Sequence, residues 1–311
     1  MKIAFLLYPT EKIKVDEDTS FWIMHELKSR GHKVYYFLSE SLFWQDGEPK
    51  AFCRESKTHA TKGFLPSPLS SRPLALSQMD CIFIRKEPPF DRAYLYALQI
   101  LDTIKDKVFI LNDPMGIATS GEKLYALEFK SWIPESCVTE DPIVAARFIK
   151  HIGSRVVVKP LHLKGGGGVF VLSPGDRNLP AFLETATASA TEKVMIQRFV
   201  DADRYGDKRV LVLNGEILGS FIRKPSKADF RANLGRGATL HRAVCLPKEK
   251  EMIRSMVPDL KKRGLWFVGL DIIGGYLTEI NVTSPAGITD LKALYRTRPE
   301  SSVADFIESR V

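Results

Sequence analysis

The chain has 311 residues, enough for two domains with substantial cores. Apolar residues make up 44% and charged residues 26%, the balance of a globular protein, and no segment reaches the apolar length of a membrane span. The formal net charge is +8, but lysines and arginines are interspersed with acids and no zinc-finger, RNA-recognition or helix-turn-helix pattern accompanies them, which argues against a nucleic-acid partner.

The opening "MKIAFLLYPTEKIKVDEDTS" has one lysine and a short apolar run before it turns charged, too little for a signal-peptide core, so a first strand is expected there. "EDTSFWIMHELKSRG" reads as a helix that Asp18, Thr19 or Ser20 can cap and Gly31 ends. "HKVYYFL", "DCIFIR" and "KVFILN" read as further strands, and the β-α-β order predicts a parallel sheet. The first turn lacks the glycines of a dinucleotide fingerprint, so NAD is not expected. Residues 45–78 are polar and rich in proline and serine; an irregular surface excursion with a short hairpin at its start is expected. Cys53, Cys81, Cys137 and Cys245 form no C-x-x-C pair and read as free thiols in a reducing cytosol.

A different pattern begins beyond "NDPMG", near residue 115–120. "SGEKLYALEFKSWIP" is a predicted helix stopped by Pro134, "RVVVKPL" a strand, "HLKGGGGVFVL" a glycine loop into another strand, and "KVMIQRFV" a strand. Two hairpins follow, "DKRVLVLNGEILGSFIRK" with Asn214 and Gly215 at its tip and "LWFVGLDIIGGYLTEINV", separated by the helix "EKEMIRSMVPDLKKRG".

In the last hairpin Glu279 and Asn281 are two apart on one strand and so face the same way. Asp271 joins them if a three-residue loop, 274–276, sets the register; a two-residue Gly274-Gly275 turn would pair it with Thr278 instead. The three-residue loop is the expectation, giving an all-oxygen set suited to Mg²⁺. In "KGGGGV" backbone N–H groups can close over phosphates, although a glycine run is also what a mobile turn looks like. Lys159 ends an apolar strand and needs an anion; Lys123 is either a second phosphate ligand or an ordinary helix-surface lysine. The basic stretch 223–242 holds Arg223, Lys224, Lys227, Arg231, Arg236 and Arg242 against the single acid Asp229, and is either a flap over negative charge or a solvated loop. Gln197, Arg198, Phe199 and Val200 end a strand where a chain crossing between lobes could offer backbone groups to adenine; Asp207 and Arg209 follow, and Arg209 on an apolar strand needs a partner.

The order lysine, Lys-Pro with a glycine loop, hinge, strand arginine, basic flap, Asp and Glu-x-Asn resembles the ATP-grasp superfamily, and "IRKEPPFD", "NDP", "GEKLY", "VVKPL", "DKRVLV", "RANL", "GRG", "FVGLDIIG" and "LTEINVTSP" closely resemble segments of bacterial glutathione synthetases, in that family's order, over nearly the whole chain. The resemblance implies an α/β fold: a Rossmann-like parallel-sheet substrate domain at 1–118, then a two-lobed ATP-grasp domain with a small lobe and glycine lid at 119–196 and a large lobe with the metal site at 197–311. It implies ligation of γ-glutamylcysteine to glycine through an acyl phosphate, with ATP and Mg²⁺, or Mn²⁺ in its place. Asp271, Glu279 and Asn281 would hold metal. Lys123, Lys159, Gly165, Gly166, Gly167 and Gly168 would hold phosphates, Gln197, Arg198, Phe199 and Val200 adenine, and Asp207 the nucleotide. Arg209, Arg231 and Asn233 would stabilise the acyl phosphate, and Ser20, Arg85, Arg231 and Gly237 would bind substrate. A cytoplasmic homo-oligomer, dimer or tetramer, with no nucleic acid or membrane partner, is implied too. The chain departs from the family's best-known members at His162, Leu163 and Lys164, where they read Asp-Gly-Met, and in a shorter flap. A sister ligase with another acceptor, or a non-catalytic nucleotide-binding module, would share the nucleotide motifs; "RKEPPFD" favours the synthetase, and the intact metal and phosphate positions disfavour the module.

Overall fold

Strand β1 (Lys2–Leu7) is buried along almost its whole length, as a central parallel strand must be. The computed structural model describes residues 1–60, 63–65, 67–162, 166–227, 229–232, 235 and 237–311, Lys12 by its backbone alone. Helix α1 (Thr19–Ser29) follows β1; of the three possible caps Asp18 is the one used, accepting from the Phe21 N–H. β2 (Lys33–Leu38) pairs parallel to β1, and β3 (Cys81–Ile84) lies parallel on its other side, with β4 (Phe109–Leu111) beyond. The chain thus reverses direction across the sheet at β1, and the crevice at the carboxyl ends of β1 and β3 is where such sheets bind ligands. Tyr8 and Arg85 are the first residues past those two ends.

The short hairpin expected at the start of the excursion forms, and a further strand beyond it makes the segment more ordered than its composition suggested. A hairpin, Leu42–Gln45 with Glu48–Ala51, turns at Asp46 and Gly47, both at positive φ, and Leu74–Ala75 adds a third strand. Helix α2 (Arg92–Asp102) and the short α3 (Pro114–Thr119) complete this part.

Residues 125–132, expected as an α-helix, form a 3₁₀ segment kinked at Phe129. Tertiary anchoring overrides propensity here: the Tyr125 hydroxyl donates to Asp259 (2.7 Å) and Arg263 lies over its ring. Next comes an antiparallel sheet of β5 (Ser136–Thr139), β6 (Val156–Pro160), β7 (Phe170–Leu172) and β8 (Val194–Arg198), in spatial order β5-β8-β6-β7. Helices α4 (Pro142–Ile152) and α5 (Leu179–Ala186) cover it and share its separate core, which includes Ile149, Val156, Val158, Leu183 and Ile196.

After the short α6 (Ala202–Tyr205), a second antiparallel sheet is built from β9 (Asp207–Leu213), β10 (Glu216–Lys224), β11 (Thr239–Arg242), β12 (Phe267–Ile273) and β13 (Tyr276–Asn281), in order β11-β10-β9-β12-β13. Helix α7 (Pro247–Lys262) precedes β12; α8 (Ile288–Tyr295) and α9 (Pro299–Glu308), for which no sequence expectation was formed, close the chain. The last sheet does not stand apart from the first. Ile3, Phe5 and Phe83 share a core with Leu211, Phe221, Phe267 and Val303. Buried Asn112 ties β4 to both sides of the hairpin, donating to Phe267 O and Val282 O and accepting from the Phe267 N–H. The first and last sheets therefore form one packed body, and the middle sheet carries its own core. No helix among the described residues is long and apolar enough to cross a membrane.

Candidate active site

Asp271 does stand opposite Glu279, with Asn281 opposite Gly269, but not for the expected reason. The turn is the two-residue one: Ile273 pairs with Tyr276, and Gly274 and Gly275 adopt φ of +57° and +80°, the signs a tight primed hairpin turn requires. A bulge then shifts the register, so that Thr278 is the extra residue between the Leu277 and Glu279 pairs. The Thr278 hydroxyl donates to the Asp271 carbonyl (3.1 Å) and fixes the bulge. The three-residue loop is thereby corrected, while the carboxylate pairing stands.

Arg209, on β9 opposite Asp271, donates Nε to Oδ1 at 2.6 Å and Nη2 to Oδ2 at 2.9 Å. Gly269 makes room for it; a Cβ there would meet Arg209 Nη1 at 3.3 Å and Pro285 Cβ at 3.2 Å. Arg223 Nη2 bridges Asp207 (2.6 Å) and Asp271 (3.0 Å), and Asn281 Nδ2 approaches Asp271 at 3.3 Å. Burial alone would raise the Asp271 carboxyl, but the two guanidiniums outweigh it and hold it at about 2. Burial pushes Asp207 up to about 6 against the pull of Arg223, with the Asp271 charge adding to the rise. Glu279 is compensated differently, by Lys123 Nζ at 3.3 Å.

Lys159 is half-buried and has no hydrogen-bonded carboxylate among the described residues. Its Nζ donates to Gln197 Oε1 (2.7 Å) and weakly to Thr278 O (3.5 Å), and burial pulls its pKa below the usual lysine range. These groups converge on one cavity of about 230 Å³ whose walls also include Val157, Arg198, Phe199 and Val200. The N–H groups of Arg198 and Phe199 are committed to the carbonyls of Glu135 and Arg155, so they are not on offer to a heterocycle. The lid and flap meet over the cavity: Arg231 Nη1 donates to Gly166 O (2.9 Å), and Phe230 packs edge-on to Phe199 with centroids 6.4 Å apart. Arg231 is also paired with Asp229, so the flap is less free in charge than its sequence suggested. Gly166, Gly167 and Gly168 form the turn that leads into β7, whereas Gly165, Leu163, Lys164, Asn233 and Arg236 lie outside the described residues. Gly237, at φ +85°, lies near Ser226 and does not line the cavity.

A second cavity, about 280 Å³, opens at the crevice of the parallel sheet and holds Arg85. Ser20, expected at the substrate, is fully buried and instead accepts from Arg85 Nε (2.9 Å), so it supports the arginine from behind.

Sequence reading passed over three groups. Arg223 was visible only as one of a run of bases; its place across from Asp207 on a paired strand is what gives it a role. Glu122 borders the main cavity, and its carboxylate accepts from the Thr283 hydroxyl (2.7 Å) while its carbonyl accepts from the Ile280 N–H (3.0 Å), strapping the strand that carries Glu279. Asp290, at the start of α8, has its carboxyl raised by burial with Arg209 and Arg223 pulling the other way.

Solved structures share this architecture. D-cycloserine synthetase DcsG superposes with a TM-score of 0.68 over 98% of this chain and 99% of that one, at 12% identity. The ATP-grasp ligase PsnB, complexed with a phosphomimetic variant of its minimal precursor, Mg and ADP, gives 0.67 over 99% and 98%, at 16% identity. The fold, together with the match of residues 122–296 to a family model of an ATP-grasp domain, defines an ATP-grasp enzyme, an ATP-dependent ligase. Residues 1–118 match the family model of the prokaryotic glutathione synthetase N-terminal domain and residues 122–296 that of its ATP-grasp domain. The glutathione synthetase of Gloeobacter violaceus is 38% identical over 322 aligned positions, 99% of this chain and 96% of the relative. That of Brucella melitensis is 34% identical over 313, 100% and 99%. The chain belongs to the prokaryotic glutathione synthetase family.

Proposed function

We propose that this enzyme joins γ-glutamylcysteine to glycine at the expense of ATP. An oxygen of the cysteinyl carboxylate attacks the γ-phosphorus and ADP leaves. The glycine nitrogen then attacks the acyl carbon, inorganic phosphate leaves, and the nitrogen gives up its proton to yield glutathione. The observation that carries the reading is the pairing of Asp271 with Glu279 beside Arg209, close to a half-buried Lys159 with no carboxylate hydrogen-bonded to it among the described residues.

The oxygen donors of Asp271, Glu279 and Asn281 fit a divalent ion. They are hard ligands at one end of a hairpin, and guanidinium and ammonium groups now lie on both carboxylates where a cation's charge would go. Among the described residues no three acidic or thiol/imidazole groups cluster, which suits an ion completed by nucleotide phosphates rather than a protein cage. We assign that ion as Mg²⁺, with Mn²⁺ able to replace it; when bound it would offset phosphate charge.

Lys159, freed from Gln197, and Lys123, freed from Glu279, reach for phosphate oxygens, and Gly165, Gly166, Gly167 and Gly168 exclude water from the acyl phosphate. Gln197, Arg198, Phe199 and Val200 border the base, and Asp207 the nucleotide. Arg209, Arg231 and Asn233 face charge developing at the acyl carbon, joined by Arg223. Arg85 receives a substrate carboxylate, and Gly237 lets the flap bend toward substrate. The same reading divides the chain at 1–118, 119–196 and 197–311 and expects a homo-oligomer, dimer or tetramer. Four free cysteines favour a cytoplasmic home. Phosphate release from ATP and Mg²⁺ tests the reaction: release that needs both γ-glutamylcysteine and glycine, with glutathione formed, supports it. Release with another amine in place of glycine would replace it by a sister ligase.

A further inference from the structure

The crevice cavity is lined at its exposed rim by a Lys14–Glu17 pair (3.2 Å), and deeper in by charges that are not spent on one another. Arg85 is 1% exposed, among the most deeply buried charges in the molecule. Its guanidinium carbon lies 5.5 and 5.8 Å from the ring centres of Phe83 and Phe267. Nε is used by Ser20 and Nη2 by the Pro285 carbonyl (3.1 Å), but Nη1 has no partner among the described residues. A desolvated guanidinium that lines a cavity, with an unused N–H and no carboxylate bonded to it among the described residues, is suited to an incoming carboxylate. Acids share the same cavity: Glu87, and Asp18, which accepts from the Phe21 N–H through Oδ1 (2.5 Å) and from the Tyr8 hydroxyl through Oδ2 (2.6 Å). Neither bonds Arg85, although both lie close enough to favour its charge. Helix capping accounts for Oδ1 of Asp18. It does not account for the phenol on Oδ2, which fixes the outward edge of that carboxylate.

Cation and anions held apart across one small cavity match a ligand that carries a carboxylate and an ammonium on the same carbon. A γ-linked glutamyl group is such a ligand, because its α-carboxylate and α-ammonium both stay free. We propose that Tyr8 and Asp18, with Glu87, form the ammonium-reading half of a zwitterion clamp whose carboxylate half is Arg85, so that these residues select a free γ-glutamyl α-amino-acid end. The proposal rests on the substrate reading above. The clamp also points the right way. Arg85 holds the carbonyl of Pro285 and Arg209 that of Ala286 (3.0 Å), so a dipeptide laid along 284–286 has its amino-acid end at the clamp and its other carboxylate toward Arg209.

Calorimetric binding tests the clamp without needing turnover, using γ-glutamylcysteine, glutarylcysteine (which lacks the ammonium) and 4-aminobutanoylcysteine (which lacks the α-carboxylate). The wild type should bind both analogues at least about tenfold more weakly than γ-glutamylcysteine. Asp18→Asn keeps a helix-capping side chain and Tyr8→Phe removes one hydroxyl, so both should fold. Each should weaken γ-glutamylcysteine by about tenfold or more and leave glutarylcysteine within about twofold, shrinking the preference for the ammonium. A wild type that binds γ-glutamylcysteine and glutarylcysteine equally, or variants that lose both to the same degree, would overturn the clamp. Phosphate release judges the ligase reading separately: selective binding without turnover would sink that reading and leave the clamp standing.

Discussion

Arg85 and Arg209 donate to consecutive carbonyl oxygens of one loop, Arg85 to Pro285 and Arg209 to Ala286. Adjacent α-carbons are about 3.8 Å apart, so guanidiniums from different sheets hold carbonyls that are one peptide unit apart. One guanidinium lines the cavity at the crevice of the parallel sheet and the other lines the cavity that holds Asp271 and Glu279. On the function proposed above, the loop between them is the seam where substrate would meet nucleotide.

Arg85→Lys should therefore act on the acid substrate alone. Lysine keeps the charge but cannot hold Ser20, Pro285 and a carboxylate from a planar fork. The expected result is a rise of about 10–100-fold in KM for γ-glutamylcysteine with the affinity for ATP retained. An equal loss in both would place Arg85 in general packing instead.

Glu279→Gln separates chemistry from folding. Glu279 is half-buried and ion-paired with Lys123, so the amide should be tolerated and melting should shift by only a few degrees. Turnover should fall by at least about a hundredfold if the carboxylate serves the metal and phosphates. A variant of near-normal activity would remove Glu279 from the metal set, and a melting curve measured beside the rate decides whether any loss is catalytic.

The pairing of carboxylates was legible because strand alternation is strict: residues two apart share a face, and Glu279 and Asn281 stand out in an apolar segment. The means of pairing was not. A bulge leaves no clear mark in "GGYLTE", where Thr278 looks like any strand residue, and loop length alone offered a simpler route to the same register. Arg209 could be seen to need a partner, since an unpaired guanidinium on an apolar strand is costly. Arg223 could not, because its meaning lies in the Asp207 opposite it. The 3₁₀ segment at 125–132 and the shared core of the first and last sheets depend on contacts such as Tyr125 with Asp259 and Phe83 with Phe267, which no local pattern announces.

Asp207 predicts a pH signature. Its folded pKa, about 6, lies above the unfolded value near 4, so between those limits the native state binds a proton that the unfolded chain does not. That contribution to stability is present at low pH and is lost as pH rises through about 6. Asp271, held at about 2, stays ionised across the window and does not mask it. The stability of the wild type relative to Asp207→Asn should thus increase as pH falls from 7 to 4, read from denaturant midpoints without nucleotide. A constant difference would mean that Asp207 is ionised throughout.

Lys159→Met separates binding from stability most sharply. The ammonium sits in the protein with an amide oxygen at 2.7 Å, a weak carbonyl contact, and no carboxylate bonded to it among the described residues. Desolvation is then incompletely offset in the empty enzyme, and methionine fills similar volume without that penalty. The variant should melt no lower than the wild type and gain up to about 1–2 kcal/mol. Its affinity for ATP should nevertheless drop by about tenfold or more, because the group that the fold holds at a cost is the one a phosphate repays. Thermal melting with and without MgATP reads both effects: the wild type should be stabilised strongly by nucleotide and the variant weakly. Loss of stability in the empty variant, with the nucleotide shift unchanged, would make Lys159 a structural residue of β6 and not a phosphate ligand.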